Sequence, residues 1–340
     1  MQNEHLTLQQ IRLLPKIDLH RHLDCSMRWS TLIEVATALK IDFPPTLREQ
    51  TEHFLVTEPM VNLEAVLKKF LTAQKLLASK EILERLAFEA CEDAFNDGVR
   101  LLELRYAPTF IADGHSHLSF EDIHQAFLRG IARAKKQFPM AVGLICILQR
   151  ILSYDRVAAV TAFAVENKKT LLALDLADNE EGFEPKPFAE LFASARRAGL
   201  RTTIHSGEAT HPNAVQWMRD SVEILGAERI GHGIQAIHSE SLLQLLREKN
   251  ITLEVCPYSN YLTQAFPSLA SHPLRKLYNS GVKVTLNSDD PGLFASTLSD
   301  DYLIAHQHHG FGRQEFTNCN QWAYEASFIE EQEKARIWKI

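Results

Sequence analysis

Short apolar runs alternate with longer amphipathic stretches along nearly all of this 340-residue chain. Eight runs read as strands: 17–22 (IDLHRH), 99–106 (VRLLELRY), 141–148 (AVGLICIL), 171–177 (LLALDLA), 201–206 (RTTIHS), 229–234 (RIGHGI), 251–256 (ITLEVC) and 282–287 (VKVTLN). Most are apolar and free of proline, the pattern of strands covered on both faces. The segments between them have helical spacing. In 62–77, Leu63, Val66, Leu67, Phe70, Leu71 and Leu77 mark one face. The stretch 81–97 meets Gly98, a residue suited to ending a helix. Residues 184–198 stop at Gly199, and 240–249 are followed by Asn250.

Eight strands with intervening helices predict a (β/α)8 barrel, longer than the roughly 250 residues usual for that fold. The excess falls between strands 1 and 2 (residues 23–98) and after strand 8. Helices of the first insertion are expected to cover the barrel mouth. No low-complexity linker interrupts the pattern, so residues 1–340 are read as a single domain. A doubly wound sheet has the same alternation, and the polar residues at the strand ends separate the two. His20 and His22 end strand 1, His205 ends strand 5, His232 lies in strand 6, and Asp289 and Asp290 follow strand 8. A barrel brings those ends to one axis, where catalytic residues of the fold gather. An open sheet does not bring strands 1, 5, 6 and 8 together.

Imidazole and carboxylate are ligands for a borderline divalent metal such as zinc. In H-x-H the strand period puts both rings on one face. With fifteen histidines in the chain, that pair alone means little. His205 alone reads as a core histidine, and Asp289–Asp290 as a solvated turn before Pro291. Their conjunction at strand ends carries the metal reading. Glu208, three residues past His205, is placed to exchange a proton with metal-activated water, which points to hydrolysis. His115 and His117, and His306, His308 and His309, lie in polar segments and are expected to have surface or supporting roles. No lysine ends strand 4, where a bridging ligand for a second metal would stand, so one metal is expected. His238-Ser239-Glu240 lacks the P-C-x-x-C of the other zinc deaminase architecture and reads as a helix start.

Composition narrows the partners. The chain is 45% hydrophobic and 23% charged, with 36 Lys+Arg against 43 Asp+Glu and a formal charge of -7. That balance argues against nucleic acid or an anionic membrane as main partner. Five cysteines without C-x-x-C read as reduced thiols. There is no apolar run near ~20 residues and no signal-like start, so the expected location is cytoplasmic.

PKIDLHRHLD, LELRYAP, LDLA, HSGEA, RIGHGI, LEVCPYSNYLT and LNSDDP, spanning Pro15 to about Phe294, resemble the adenosine deaminase family of the amidohydrolase superfamily. The resemblance implies one zinc ion (Zn2+) per chain, held by His20, His22, His205 and Asp289. It implies that Glu208 protonates purine N1 as hydroxide attacks C6, and that His232 orients that hydroxide. Asp290 corresponds to the group that meets purine N7, and Asp24 to the one that meets the ribose 5′-hydroxyl. Glu254 resembles a carboxylate that holds His232 from behind, and Ser259 is a candidate for the same place. Two positions depart from the family. Cys25 stands where glycine usually follows HLD. Asp178 stands where glycine usually follows DLA, its backbone N–H facing purine N3. A side chain at either place would narrow or recharge the pocket.

The function implied is hydrolytic deamination of adenosine and 2′-deoxyadenosine. The alternatives are a modified adenine nucleoside such as aminodeoxyfutalosine, or free adenine, which Asp24 disfavours. Ester or lactone hydrolysis is opposed by Asp290, and a metal-binding protein without catalysis by the presence of Glu208 and His232.

Overall fold

The eight predicted runs all form strands, and all are parallel. The computed structural model describes residues 5–41 and 44–339; residues 1–4 of the N-terminal segment read for a signal lie outside them. The strands are β1 (Lys16–His22), β2 (Val99–Tyr106), β3 (Ala141–Gln149), β4 (Leu171–Ala177), β5 (Arg201–Ser206), β6 (Arg229–His232), β7 (Thr252–Val255) and β8 (Lys283–Leu286). Each pairs with its neighbours in chain order, from β1 to β8. This is the (β/α)8 barrel, and the doubly wound alternative falls. The last three strands are shorter than predicted for local reasons. β6 stops at His232 because Gly233, at φ +68°, turns the chain into a 3-10 turn. β7 stops ahead of Cys256-Pro257, since Pro257 has no N–H for a ladder and opens the helix Pro257–Leu262.

The joint between β1 and β8 is made differently from the other seven. Among the described residues a single bridge, Arg21 with Asp289, links the two sides. The N–H of His22 donates to Asp289 O (2.8 Å), and that of Asp289 to His20 O (2.9 Å). Lower down, side chains replace the missing ladder. Leu19 N–H donates to Asn287 Oδ1 (3.0 Å) and Ile17 N–H to Asn320 Oδ1 (2.9 Å). Buried backbone donors need partners, and two asparagines supply them.

The helices follow their sequence signals with trimmed ends. The first insertion holds Trp29–Ala38, Leu47–Phe54, Leu63–Gln74 and Lys80–Asn96. Asn62 caps the third by accepting from Ala65 N–H at 3.0 Å. Gly98, at φ +91°, releases the chain from the fourth into β2. The helix expected at 184–198 spans only Ala189–Ala198, because Pro185 and Pro187 restrict the preceding segment to a 3-10 turn. Ser239 caps Glu240–Glu248, so the formal H-x-E is indeed a helix start. Two helices after β8, Leu298–His309 and Arg313–Ala326, bring in Asn320.

Inside the barrel the strands carry charge. Arg105 donates to Asp175 Oδ2 and to Glu254 Oε2, both at 2.7 Å. Arg229 donates to Glu254 Oε1 at 2.6 Å and pairs with Glu103 Oε2 at 2.8 Å. All five are buried. The alternate residues Leu102, Leu104, Leu174 and Leu176 join the apolar core beneath the helices. Strand period 2 thus sorts charge inward and leucine outward.

Candidate active site

At the C-terminal ends of the strands, four histidines and two aspartates converge. His22 Nε2 lies 3.2 Å from His205 Nε2 and 3.3 Å from Asp289 Oδ1. His20 Nε2 is buried, makes no hydrogen bond, and faces Asp289 Oδ1 at 3.3 Å. Two ring nitrogens are held outward by carboxylates. Glu254 Oε2 lies 2.6 Å from His20 Nδ1, and Asp175 Oδ2 2.9 Å from His205 Nδ1. These contacts set the tautomer and aim each Nε2 lone pair at the common centre. Donors at tetrahedral corners about 2.0–2.1 Å from an ion stand about 3.3 Å apart. The observed spacings match, and the described residues contain a donor cluster suited to one divalent metal.

The backbone is bent to make this cluster. His232 and Asp289 both have φ +59°, and Asp178 has φ +82°, in the left-handed region that non-glycine residues avoid. Gly231 is needed for a different reason. A Cβ there would lie 2.9 Å from His20 Cε1 and 3.2 Å from the His205 backbone, so the two rings approach only over a bare glycine.

A cavity of about 340 Å³ opens beside the cluster. His22, Asp24, Glu208, His232, Asp289 and Asp290 form its floor. Leu63, Leu67 and Phe70 of the helix Leu63–Gln74 form part of its rim, so the predicted apolar stripe faces the cavity mouth. Glu208 Oε2 is 3.5 Å from His232 Nε2. Burial, then the charges of Asp289 and Glu180, push the Glu208 carboxyl well above the usual range. Burial, then Asp289, Asp24 and Glu208, do the same to Asp290. Asp289 moves the other way. Burial opposes its ionisation, but His232 and the His20 contact hold it well below the usual range. Adjacent carboxyls are thus driven into opposite protonation states, a mark of acid–base sites. Burial raises Asp24 to about 7.

Every sequence-predicted site residue except Glu254 borders the cavity or the donor cluster directly, but two expected contacts are not made. Glu254 does not hold His232; from β7 it reaches past β8 to His20 on β1. Ser259 does not hold His232 either. Its Oγ is buried without a partner, and the residue lines the cavity. Asn260, the next residue, meets His232 Nδ1 at 3.1 Å. Asp178 lines the cavity, with Oδ2 accepting from Gln149 Nε2 (2.8 Å) and Oδ1 from Asn179 N–H (2.7 Å). Cys25 is buried outside the cavity and lines a smaller void that it shares with Asp24. His306 and His309 are buried, not at the surface. His306 Nε2 accepts from Leu6 N–H at 3.0 Å and Nδ1 donates to Phe311 O at 2.8 Å.

Two supports were missed. Asp175 sits in LDLA, where a lone acid inside an apolar strand run signals an inward charge. Glu180 accepts from the N–H groups of Gly207 (2.7 Å), Glu208 (3.1 Å) and Ala209 (3.3 Å), pinning the turn that carries Glu208. No motif marks it.

A parallel eight-stranded barrel with this donor set, and a buried glutamate of raised pKa beside it, is the arrangement of a hydrolase of the amidohydrolase type. A model of the family described as adenosine deaminase matches residues 15–339, and the chain belongs to that family. An adenosine deaminase of Plasmodium falciparum (isolate 3D7) is 33% identical over 326 residues, covering 95% of this chain and 88% of the relative. Among solved structures, a cog1816 amidohydrolase from Burkhoderia ambifaria with bound Zn has TM-score 0.89 and 25% identity, covering 98% of this chain and 92% of that one. The N6-methyl-AMP deaminase of Arabidopsis thaliana has TM-score 0.83 and 26% identity, covering 97% of each chain. No helix among the described residues is long and apolar enough to cross a membrane.

Proposed function

We propose that this chain, acting as one catalytic domain, hydrolyses adenosine and 2′-deoxyadenosine to inosine and 2′-deoxyinosine plus ammonia, with zinc as its metal. The observation that carries this reading is Glu208. It is a buried, proton-holding carboxyl on the cavity floor, 3.5 Å from His232 and three residues past His205. The zinc assignment rests on the buried lone pair of His20 Nε2 and on donor spacings of 3.2–3.3 Å. His20, His22, His205 and Asp289 are the residues that would hold the ion. Held there, a divalent ion supplies a water acidified to a pKa near ~7.

The chain's own residues do the rest. Glu208 gives its proton to purine N1, so ring aromaticity is broken as C6 becomes tetrahedral. Glu208, now a carboxylate, takes the proton of the hydroxyl added at C6 and passes it to the exocyclic nitrogen, which leaves as ammonia while C6 becomes a carbonyl. His232 faces the same centre and stabilises the oxygen added at C6. Asp290, kept neutral by burial and by neighbouring charge, can donate to N7. Asp24 offers an unpartnered, buried Oδ1 to the ribose 5′-hydroxyl. Asp178 takes a backbone conformation natural to glycine, and Gln149 and Asn179 hold its carboxylate while its N–H serves N3.

A nucleotide fits this cavity less well than a nucleoside. Among the described residues, the only Lys or Arg lining it is Lys68, which is paired with Glu64 at 2.8 Å. A 5′-phosphate would enter among carboxylates without a free cation. The cytoplasmic location rests on five free, buried cysteines. The deciding experiment is a panel of adenosine, 2′-deoxyadenosine, adenine, aminodeoxyfutalosine, AMP and N6-methyl-AMP, following absorbance and ammonia. The two simple nucleosides should show the highest kcat/KM. A preference for either nucleotide overturns the substrate assignment.

A further inference from the structure

Behind His232, on the side away from the cavity, a chain of hydrogen bonds runs to the backbone. His232 Nδ1 lies 3.1 Å from Asn260 Nδ2, and Asn260 Oδ1 lies 3.1 Å from His272 Nε2. His272 Nδ1 in turn lies 3.1 Å from the Leu274 amide nitrogen. All three side chains are buried. The chain has one unambiguous end. A backbone N–H can only donate, so His272 Nδ1 must present a lone pair. Burial, then the neighbouring His309, push the His272 pKa down to about 3, so near neutral pH the ring carries one proton. That proton is on Nε2 and points at Asn260. The Asn260 atom facing it is therefore the carbonyl oxygen, and the amide NH2 is turned to His232. His232 Nδ1 accepts from it and holds no proton. The proton of a neutral His232 ring is then on Nε2, which faces Glu208 Oε2 at 3.5 Å and Asp289 Oδ2 at 3.8 Å.

We propose that Asn260 and His272 are positioning residues that set the tautomer of His232, locking it as an Nε2–H donor aimed at the reacting carbon's oxygen. The catalytic meaning rests on the deamination reading; the tautomer does not. The lock settles two ambiguities of the site. By distance, His20, His205, His232 and Asp289 form an alternative set of metal donors. A nitrogen that bears a proton has no lone pair for a metal, so the fourth donor is His22 and His232 is left free. The same proton denies His232 Nε2 the role of general base. Its work is electrostatic, as a preoriented donor to negative charge that develops on oxygen. No charged group belongs to the chain, so the orientation is transmitted by hydrogen bonds alone, from the Leu274 amide through two side chains.

The first test needs no substrate. In metal-free protein labelled with 15N-histidine, the His232 ring should show a protonated Nε2 and a bare Nδ1. A wild-type spectrum with the proton on His232 Nδ1 overturns the proposal. Asn260→Asp puts a carboxylate against Nδ1 and should move the proton there. Since a wrong histidine tautomer costs a serine protease about 10⁴ in kcat, a fall of at least ~10² is expected here, with KM and metal content near wild type. His272→Leu should lower kcat by roughly 10-fold, the low end for a lost positioning contact. His272→Gln, whose amide NH2 can reach the same Asn260 oxygen, should recover most of that loss. Equal rates in the Leu and Gln variants would overturn the chain. If no nucleoside is deaminated at all, the spectrum still decides the tautomer, and only the substrate reading fails.

Discussion

The two halves of the site are built on opposite plans. On the metal-donor side the protein completes itself. His20 is backed by Glu254, His205 by Asp175 and His232 by Asn260, and the two carboxylates are neutralised by the buried Arg105 and Arg229. On the cavity side it stops short. Asp24 Oδ1, Asp290 Oδ1 and Ser259 Oγ are buried without hydrogen-bond partners among the described residues. Unpaired buried polar atoms are costly, at roughly 1–3 kcal/mol each. The first half is organised before anything binds. The second stores unmet hydrogen bonds that the correct ligand can satisfy, so discrimination lies where the protein is incomplete.

Substitutions that act on one half alone test this division. The largest effect is expected from Glu208→Gln, which leaves all four metal donors in place but removes the proton. Metal content by elemental analysis should stay at one per chain, while kcat falls by ~10²–10⁴. A near-wild-type rate would show that the proton comes from elsewhere. Asp175→Asn acts on the other half. It keeps the shape behind His205 but weakens its orientation, and metal affinity measured by chelator competition should drop by about 10–100-fold. The smallest change is expected from Asp178→Gly. It removes a carboxylate from the cavity wall and relieves a left-handed backbone strain of roughly 1–3 kcal/mol. Metal content should not move, whereas the ratio of kcat/KM between adenosine and the other panel nucleosides should shift. An unchanged ratio would mean that Gln149 and Asn179 keep the side chain out of the substrate's way.

What could be read from the sequence follows the same division. The histidines and aspartates of the cluster stand at strand ends in short motifs, so strand periodicity and position were enough to bring His20, His22, His205, His232, Asp289 and Asp290 together. The choice of four among them as metal donors came from the resemblance. The barrel followed from the alternation of runs together with the polar residues at their ends, and element ends blurred where Gly233, Pro185 and Pro257, among others, impose local turns. Partners across the barrel were not legible. Glu254 belongs to β7, whose neighbours are β6 and β8, and the resemblance assigned it to His232 on β6. In the folded chain Glu254 pairs in register with Gly231, and its side chain reaches past β8 to His20 on β1. Asn260 and His272 escaped for a related reason. Their effect depends on the direction of three hydrogen bonds, and no spacing encodes direction.

The joint between the first and last strands has a mechanical consequence. Among the described strands it is the joint where the hoop of backbone hydrogen bonds thins to a single bridge, and His20 and His22 stand on one lip while Asp289 stands on the other. An ion gripped from both lips is a clasp as well as a reagent, because binding energy confined to the closed form adds to its stability. Stripping it with a chelator should loosen this stave before the rest of the cylinder. Amide exchange at Ile17 and Leu19, whose protons rest on asparagine side chains rather than on a neighbouring strand, should report it first.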